Sequence, residues 1–368
     1  MRTLYALIVP VLAVLTALVL GAVIIAATGG DVAKAYQGLW EGSLGRPRSI
    51  SDTLVRTTPY IFGGLAVALA FKGGLFNIGV EGQITIGSLA TAFVGYALQG
   101  VPFPLHLILA AAAGFLAGAA WGAIPGFLKA FSGAHEVIVT IMLNYVAINI
   151  ANFLLSGPMK DKNPAVAIAQ TPPILQSARL PSLLADPQYR VHWGVAVGVV
   201  AAIVVWWLLQ KSTLGFEIRT VGANPHAARY AGVSVARTTV LLMALSGGLA
   251  GMAGAMDVVG LNFYYAAAFT AGYGFDSIAV ALLARSSPIG VLPSALLFGG
   301  LAAGSNRMQF LSQIPIDIIH LVQALVLIFV AAPALIRWIY RVRMPREAEA
   351  PATGEVQFGA GWGKAETS

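Results

Sequence analysis

The sequence contains no cysteine, so a disulfide framework, a thiolate metal site and a cysteine nucleophile are all excluded. Charged residues are also scarce: they make up 10% of the 368 residues, whereas about 25% is usual in a soluble protein. Hydrophobic residues account for 58%, and the mean hydropathy is +0.79, which argues against a disordered chain and a soluble globule. The net charge is +7, but the basic residues stand at the ends of apolar runs and do not cluster with aromatics, which argues against nucleic acid as a partner.

Three catalytic signatures are missing as well. The phosphate-binding loop G-x-x-x-x-G-K-[ST] does not occur, and its nearest approach, Gly363-Lys364, is followed by Ala365. His135-Glu136 lacks the second histidine of H-E-x-x-H, and there is no G-x-S-x-G nucleophile elbow. We therefore predict a protein that is not an enzyme and binds no cofactor or metal of its own. If ATP drives its activity, the ATPase must be another polypeptide.

Apolar runs recur through most of the chain and predict an all-α polytopic membrane protein with about ten transmembrane helices. The runs cover residues 4–28, 59–71, 75–98, 105–128, 137–155, 191–209, 238–260, 273–284, 289–303 and 314–336. A helix needs about 20 residues to cross the hydrocarbon. The shorter runs are therefore expected to be tilted, broken or shielded by neighbouring helices.

Ten crossings would place both termini on one side of the membrane. Arg337, Arg341 and Arg343 follow the last run, and the positive-inside rule assigns that side to the cytoplasm. This predicts a transmembrane domain over residues 1–344 with a cytoplasmic loop at residues 211–236. Residues 345–368 have no apolar periodicity and are predicted to form a disordered cytoplasmic tail.

Glycine is patterned in two ways. Gly114, Gly118, Gly122 and Gly126 recur every four residues, which predicts a helix face that another helix approaches closely. The tetrapeptide GGLA occurs at residues 63–66 and again at residues 247–250, in runs that would cross in opposite directions. Such an echo is what an inverted repeat would leave, with the translocation path between the halves, although chance would also produce it in so glycine-rich a chain.

The 211–236 loop contains a short segment with its own helix-capping residues. Asn224 suits the N-cap, Pro225 suits the first helical position, and Gly232 suits the left-handed residue after the end. A helix of about two turns is unstable alone, so it should dock on a partner. The alternative is a short interfacial helix that rests on lipid, anchored by Arg229 and Tyr230.

Two stretches carry a resemblance to a known family. GANPHAARYAGV, residues 222–233, resembles the coupling loop of permease subunits of bacterial ABC importers of the branched-chain amino acid and simple-sugar type. FKGGLFNIGVEGQ, residues 71–83, resembles a phrase in the nucleoside-importer branch of that family. The resemblance extends over roughly residues 53–336.

The resemblance implies a nucleoside permease subunit in the bacterial cell membrane that forms the translocation path. Its implied partners are an ABC ATPase subunit that binds the ATP, a second and different permease subunit, an extracytoplasmic substrate-binding lipoprotein and membrane lipid. The residues that would couple to the ATPase are Asn224, Pro225, His226, Ala227, Ala228, Arg229 and Gly232. On this basis, Ala228→Glu is expected to abolish uptake while insertion and abundance stay normal.

Glu81 is an ionisable residue inside an apolar run, where such groups mark a path or a partner. One interpretation is a carboxylate that lines the translocation route near its inner mouth. The other is structural: Gly79 and Gly82 break the helix, and Glu81 caps the freed backbone N–H groups.

A polar stripe runs along the apolar segment 137–155 and one residue beyond it. Tyr145, Asn149, Asn152 and Ser156 follow helical spacing, so they share one face. Because a polar face toward lipid is costly, the stripe should line an aqueous path or join a neighbouring helix. Carboxamides offer donors and acceptors to base edges and ribose hydroxyls, and an aromatic ring can stack on a base.

Other functions remain open on the sequence alone. Simple-sugar and branched-chain amino acid permeases have similar spans. An ion-coupled secondary transporter would use membrane carboxylates such as Glu81 or Asp276, and a structural membrane scaffold would transport nothing.

Overall fold

The backbone is helical through most of the part of the chain that the structure describes. The computed structural model describes residues 2–184, 186, 188–266 and 272–341. Within these ranges, turns and loops connect the helices, with two isolated β-bridges. The helices are α1 (Arg2–Ala27), α2 (Val32–Ser43), α3 (Pro47–Lys72), α4 (Val80–Ala97), α5 (Leu105–Ser132), α6 (Glu136–Ser156), α7 (Gly194–Lys211), α8 (Thr213–Ala223), α9 (Pro225–Tyr230), α10 (Val235–Asp257), α11 (Tyr273–Leu283), α12 (Pro288–Ser312), α13 (Ile316–Ala331) and α14 (Pro333–Ile339).

Among the described residues, six helices are long and apolar enough to cross a membrane. They are α3, α5, α6, α7, α12 and α10 together with the π-helical turn Val258–Asn262 that continues it. Val11–Ala27 and α11 are apolar but shorter. Each of the predicted apolar runs overlaps a described helix, so the all-helical class is confirmed, whereas the count of ten membrane-spanning helices is not.

Helix boundaries depart from the apolar runs where glycine and proline act on the backbone. The run 75–98 becomes helical only at Val80. Gly73, Gly74 and Gly79 precede that point, and Gly74 has a φ of +73°, which favours glycine. The last run is divided between α13 and α14 at Pro333 because a residue before proline disfavours the helical conformation. The predicted tail, residues 345–368, lies outside the described residues.

The chain divides into two compact units, and α3 and α12 each contribute to both. In the first unit, α1, α2, α13 and the end of α12 enclose a cluster of buried residues: Ile25, Ala35, Met308, Ile314 and Val322. The sequence offered no motif for α2, yet the carboxylate of Asp31 caps it by accepting from Lys34 N at 3.0 Å.

The second unit takes in Thr58–Ala185 and His192–Ala295. Here the glycine face of α5 packs against α10, as its spacing predicts. A Cβ atom on Gly122 would lie 2.5 Å from the carbonyl oxygen of Met243 and 2.9 Å from Gly247 Cα. The two backbones are therefore in contact, and no larger side chain fits between them.

The long loop between α6 and α7 packs against neighbouring backbone. Ile174 N donates to the carbonyl oxygen of Phe263 at 2.8 Å, and Leu180 N donates to that of Val259 at 2.8 Å. The Arg179 guanidinium lies 4.6 Å from the centre of the Phe263 ring. The loop thus packs near the π-helical turn that ends α10.

His192 follows this loop and is buried next to the start of α7. Gly194 N donates to its Nδ1 at 3.1 Å, and Cβ atoms on Gly194 or Gly260 would lie 2.6 Å from its Cε1. Glycine at both positions therefore makes room for the ring. Burial lowers the pKa of His192 to about 4, so the ring is neutral at physiological pH.

Candidate functional site

The 211–236 loop forms two helices, α8 and α9, which share one capping residue. The side chain of Asn224 accepts from His226 N at 2.9 Å and from Ala227 N at 3.1 Å, and Asn224 also ends α8. Gly232 has a φ of +83°. The short helix, its N-cap and its left-handed glycine are confirmed, whereas α8 was not predicted from the sequence.

The coupling candidates divide by exposure. Asn224, His226, Ala227, Arg229 and Gly232 are exposed, and Pro225 is half-buried. Ala228 is fully buried among Val221, Val233 and Val235, so it supports α9 from beneath and presents no surface to a partner. This burial predicts that Ala228→Glu disturbs the fold, contrary to the expectation from the sequence, because a carboxylate there would enter a packed apolar cluster.

Tyr230 was not among the coupling candidates; the sequence suggested it only as an anchor on lipid. Its side chain is 95% exposed at the end of α9. Phe216 on α8 is 56% exposed. His226 and Arg229 are exposed as well. We call these four exposed aromatic and basic side chains of α8 and α9 the loop surface.

Residues 73–79 form a non-helical link between α3 and α4, which we call the 73–79 segment. All of its residues are buried or half-buried. The side chain of Asn77 is fully buried and donates to Gln83 Oε1 at 2.9 Å and to Ser246 Oγ at 2.8 Å, while its Oδ1 accepts from Gly79 N at 2.9 Å. Sequence reasoning missed Asn77, although a carboxamide between two glycines was the available signal.

Glu81 lies in the first turn of α4, and its carboxylate caps a different helix. Oε1 accepts from Gly272 N at 2.9 Å and Oε2 accepts from Gly274 N at 2.7 Å, both at the start of α11. The side chain is buried. A carboxylate at a helix N-terminus is stabilised by the helix dipole and the free N–H groups. The structure thus agrees with the capping interpretation, but on α11 and not on the freed backbone of its own helix.

The start of α11 also contacts α3. The Tyr60 hydroxyl donates to Asp276 Oδ2 at 2.9 Å, and the rings of Tyr60 and Tyr273 meet edge to face with centroids 5.2 Å apart. Asp276, an ion-coupling candidate in the secondary-transporter alternative, is thus hydrogen-bonded next to the Glu81 cap.

The polar stripe of α6 faces outward from the chain. Tyr145, Asn149, Asn152 and Ser156 are all exposed, and Tyr145 is 62% exposed. Asn149 Nδ2 donates to the carbonyl oxygen of Tyr145 at 2.8 Å. Within the part of the chain that the structure describes, the stripe therefore does not join α6 to another element.

A different face of α6 joins it to α4 through Asn144, a residue that the sequence did not single out. Asn144 Oδ1 accepts from Gly82 N at 2.8 Å, and Asn144 Nδ2 donates to the carbonyl oxygen of Ile78 at 2.9 Å. The small residues on this face, Thr140, Ala147 and Ala151, were the signal that could have identified it as the packed side.

The site residues thus fall into three places. Glu81 lies with Asn77 and Asn144 around the start of α4, the coupling candidates lie in the loop between α7 and α10, and the stripe lies on the exposed face of α6. Glu81 and the stripe do not meet, because α4, which carries Glu81, packs on the face of α6 that carries Asn144 and the stripe lies on another face.

Several known proteins are similar in sequence to this chain over most of its length. The family described as branched-chain amino acid transport system / permease component matches residues 49–331. The guanosine ABC transporter permease protein NupP of Bacillus subtilis is 45% identical over 342 residues, covering 90% of this chain and 95% of NupP. The nucleoside ABC transporter permease protein NupB of Lactococcus lactis is 34% identical over 351 residues, covering 92% and 93%. The glucose ABC transporter permease protein TsgB13 of Haloferax volcanii is 35% identical over 357 residues, covering 94% and 93%.

Proposed function

The chain belongs to the branched-chain amino acid transport system / permease component family, and from this premise we propose that it is the membrane subunit of an ATP-driven importer for purine nucleosides. It is a transport component and not an enzyme, and it is a multi-pass membrane protein. The observation that carries the substrate class is the 45% identity with a guanosine permease over 95% of that protein's length. The glucose relative, at 35% identity, makes a sugar the second candidate.

The loop surface supports docking on a separate ATPase subunit. Tyr230 is 95% exposed on a helix that Asn224 caps and Ala228 anchors. Aromatic and arginine side chains are enriched among residues that dominate protein interfaces. In this proposal the ATPase subunit binds and hydrolyses the ATP, and the loop is only displaced by its movement.

The stripe on α6 supports a path formed with a second permease subunit. Three polar side chains and Tyr145 on the exposed face of an apolar helix would be costly against lipid. A second permease subunit facing α6 would enclose them and leave a polar route between the subunits. Asn149 and Asn152 would then offer amide donors and acceptors to a nucleoside.

The proposed topology has ten crossings, with both termini in the cytoplasm of a bacterial cell and residues 1–344 as the permease domain. Arg337 in the last turn of α14 and Arg341 just after that helix support this orientation. The recurrence of GGLA at residues 63–66 and 247–250, in runs that would cross in opposite directions, supports an inverted repeat. A substrate-binding lipoprotein would deliver the nucleoside at the opposite face.

Uptake of radiolabelled guanosine, in cells that carry or lack this chain, tests the proposal. We expect uptake to require the chain, to be inhibited by excess unlabelled adenosine, and to be unaffected by excess glucose. Uptake should stop on ATP depletion and persist when ionophores dissipate the proton and sodium gradients. Inhibition by glucose alone would favour the sugar candidate, and loss of uptake with ionophore at normal ATP would favour ion coupling.

A further inference from the structure

The 73–79 segment touches the 211–236 loop backbone to backbone at Gly222. A Cβ atom on Gly222, at the end of α8, would overlap the carbonyl oxygen of Lys72 and lie 2.8 Å from the carbonyl carbon of Gly73. A Cβ atom on Gly74 would lie 3.2 Å from Gly222 Cα. Because no side chain separates the two backbones, a displacement of α8 cannot be absorbed by rotamer changes at this contact.

From this contact the segment runs along α10. Gly73 packs on Leu242, and the Asn77 side chain bonds to Ser246, four residues further along the same helix. Four residues of α-helix correspond to about 6 Å. At its far end, Gly79 packs on Thr140 of α6, one turn before Asn144. The segment therefore extends from its contact with the loop to α6 without forming a helix.

The interior of the segment is held by side-chain hydrogen bonds. Gln83 Nε2 donates a hydrogen bond to Asn77 Oδ1 at 3.2 Å, and Ser246 Oγ donates to the carbonyl oxygen of Ala66 at 2.7 Å. These groups are buried. A satisfied polar network in an apolar surrounding is rigid, since breaking any of its bonds leaves a buried group unpaired. The segment is therefore fixed to α3, α4 and α10 at once.

The far end of the segment reaches α11 through Glu81. Its two bonds to Gly272 N and Gly274 N attach the first turn of α4 to the first turn of α11. α11 has 11 residues, which span about 16 Å, or roughly half of the hydrocarbon core.

We infer that the 73–79 segment is the element that transmits displacement of the loop to α11, with Gly222 and Glu81 as its positioning residues. The inference rests on the proposed ATP-driven function, because the loop moves only if a partner moves it. It gives a mechanical role to FKGGLFNIGVEGQ, which the loop surface and the α6 stripe leave unexplained.

The test uses the assembled transporter, with this chain co-expressed with its ATPase, second permease and binding protein. Since the chain has no cysteine, Leu282→Cys on α11 gives a single site in it for a nitroxide spin label. Leu282 is 37% exposed and lies at the other end of α11 from the Glu81 cap. We expect a nonhydrolysable ATP analogue to change the spectrum of this label in the otherwise native chain. An unresponsive label would overturn the inference.

Gly222→Ala is the central variant. Its methyl group would push α8 from the 73–79 segment, so we expect an unchanged amount of copurified ATPase, uptake reduced by about tenfold, and no nucleotide response of the label. Gly300→Ala is the matched control, since its Cβ would meet only Thr53 and Ser43 side chains at 3.7 Å and 3.8 Å. Native uptake, or a persistent label response in Gly222→Ala, would overturn the inference. Loss of ATPase copurification would also do so, by showing a docking defect.

Glu81→Gln provides a second, nearly isosteric variant at the far end of the segment. The amide keeps one acceptor but places an NH₂ group against a backbone N–H of α11, so one of the two capping hydrogen bonds is lost. If both variants interrupt one element, uptake by the double variant should be no lower than uptake by the more impaired single variant. Losses that multiply would overturn the inference, because they would show that the residues act independently.

Failure of the proposed function gives a different result. A native assembly that hydrolyses ATP and imports another solute, with the label responding to nucleotide, would contradict the nucleoside assignment while supporting the inference about the segment.

Discussion

Lys129 at the end of α5 and Glu136 at the start of α6 form an ion pair, with 2.9 Å between Nζ and Oε2. Their side chains are only 6% and 12% exposed, so solvent screens the charges little. Removing one member of such a pair leaves a buried charge and costs about 3–5 kcal/mol, whereas replacing both with apolar residues is often neutral. We therefore expect Lys129→Met to lower the thermal unfolding temperature of the detergent-purified chain.

The double variant Lys129→Met/Glu136→Leu is the control for this pair. It should recover most of the lost unfolding temperature, since no uncompensated charge remains. If the double variant unfolds as early as the single variant, the pair acts through packing and the electrostatic explanation is wrong.

Ala227 and Ala228 are neighbours in α9 with opposite exposure, and they give a matched test of the loop surface. Ala227 is exposed and Ala228 is fully buried. We expect Ala227→Glu to reduce guanosine uptake at least about tenfold at normal abundance, because it changes only the docking surface. Ala228→Glu should lower abundance and thermal stability, because burying a carboxylate among valines is costly. Full uptake by Ala227→Glu would show that this face of α9 does not dock.

Asn149 and Asn144 give a matched test on the two faces of α6. Asn149→Leu should reduce uptake more than abundance if the stripe lines the path. Asn144→Leu should reduce abundance, because Gly82 N and the carbonyl oxygen of Ile78 would each lose a partner, at about 1–3 kcal/mol for each unsatisfied group. Both quantities are measured together by quantitative immunoblotting and initial uptake rates. Equal losses of uptake and abundance in Asn149→Leu would favour a packing role.

His192 predicts a pH dependence of stability. The unfolded chain protonates histidine near pH 6.5, whereas burial lowers the pKa of His192 in the folded chain to about 4. Between these values the unfolded state binds more protons, so the free energy of unfolding falls as pH is lowered, by about 3 kcal/mol in total. Denaturant titrations from pH 7.5 to 4 would measure this dependence.

His192→Asn isolates the contribution of this residue to the pH dependence. Its side-chain oxygen can still accept from Gly194 N, but it does not titrate. The variant should show a shallower loss of stability over the same pH range, and slopes equal to those of the native chain would refute the assignment.

The sequence was most informative where a local rule acts alone. Asn224 and Gly232 fix the ends of α9 because capping depends on the chain within a few residues. The four-residue spacing of glycines on α5 identified a close helix contact without saying which helix provides it. The structure supplies the partner, α10, through Gly247.

Contacts between distant residues could not be predicted in this way. One of the two interpretations of Glu81 was a cap on the backbone of its own helix, yet it binds the N–H groups of Gly272 and Gly274, almost two hundred residues further along the chain. Ala228 was assigned to a docking surface because helical spacing in a helix of 6 residues does not reveal which side is covered. Val221 and Val235, from the adjoining helices, cover it.

By itself, the sequence determined the membrane class, the positions of the apolar helices and the capped loop, because hydropathy and capping are properties of local chain segments. Only the tertiary structure decided that the stripe on α6 faces away from the chain, that Asn144 faces α4, and that Gly222 touches the 73–79 segment. The physical reason is that burial, hydrogen-bond partners and backbone contacts depend on which helices pack together, and one helix does not encode its neighbours.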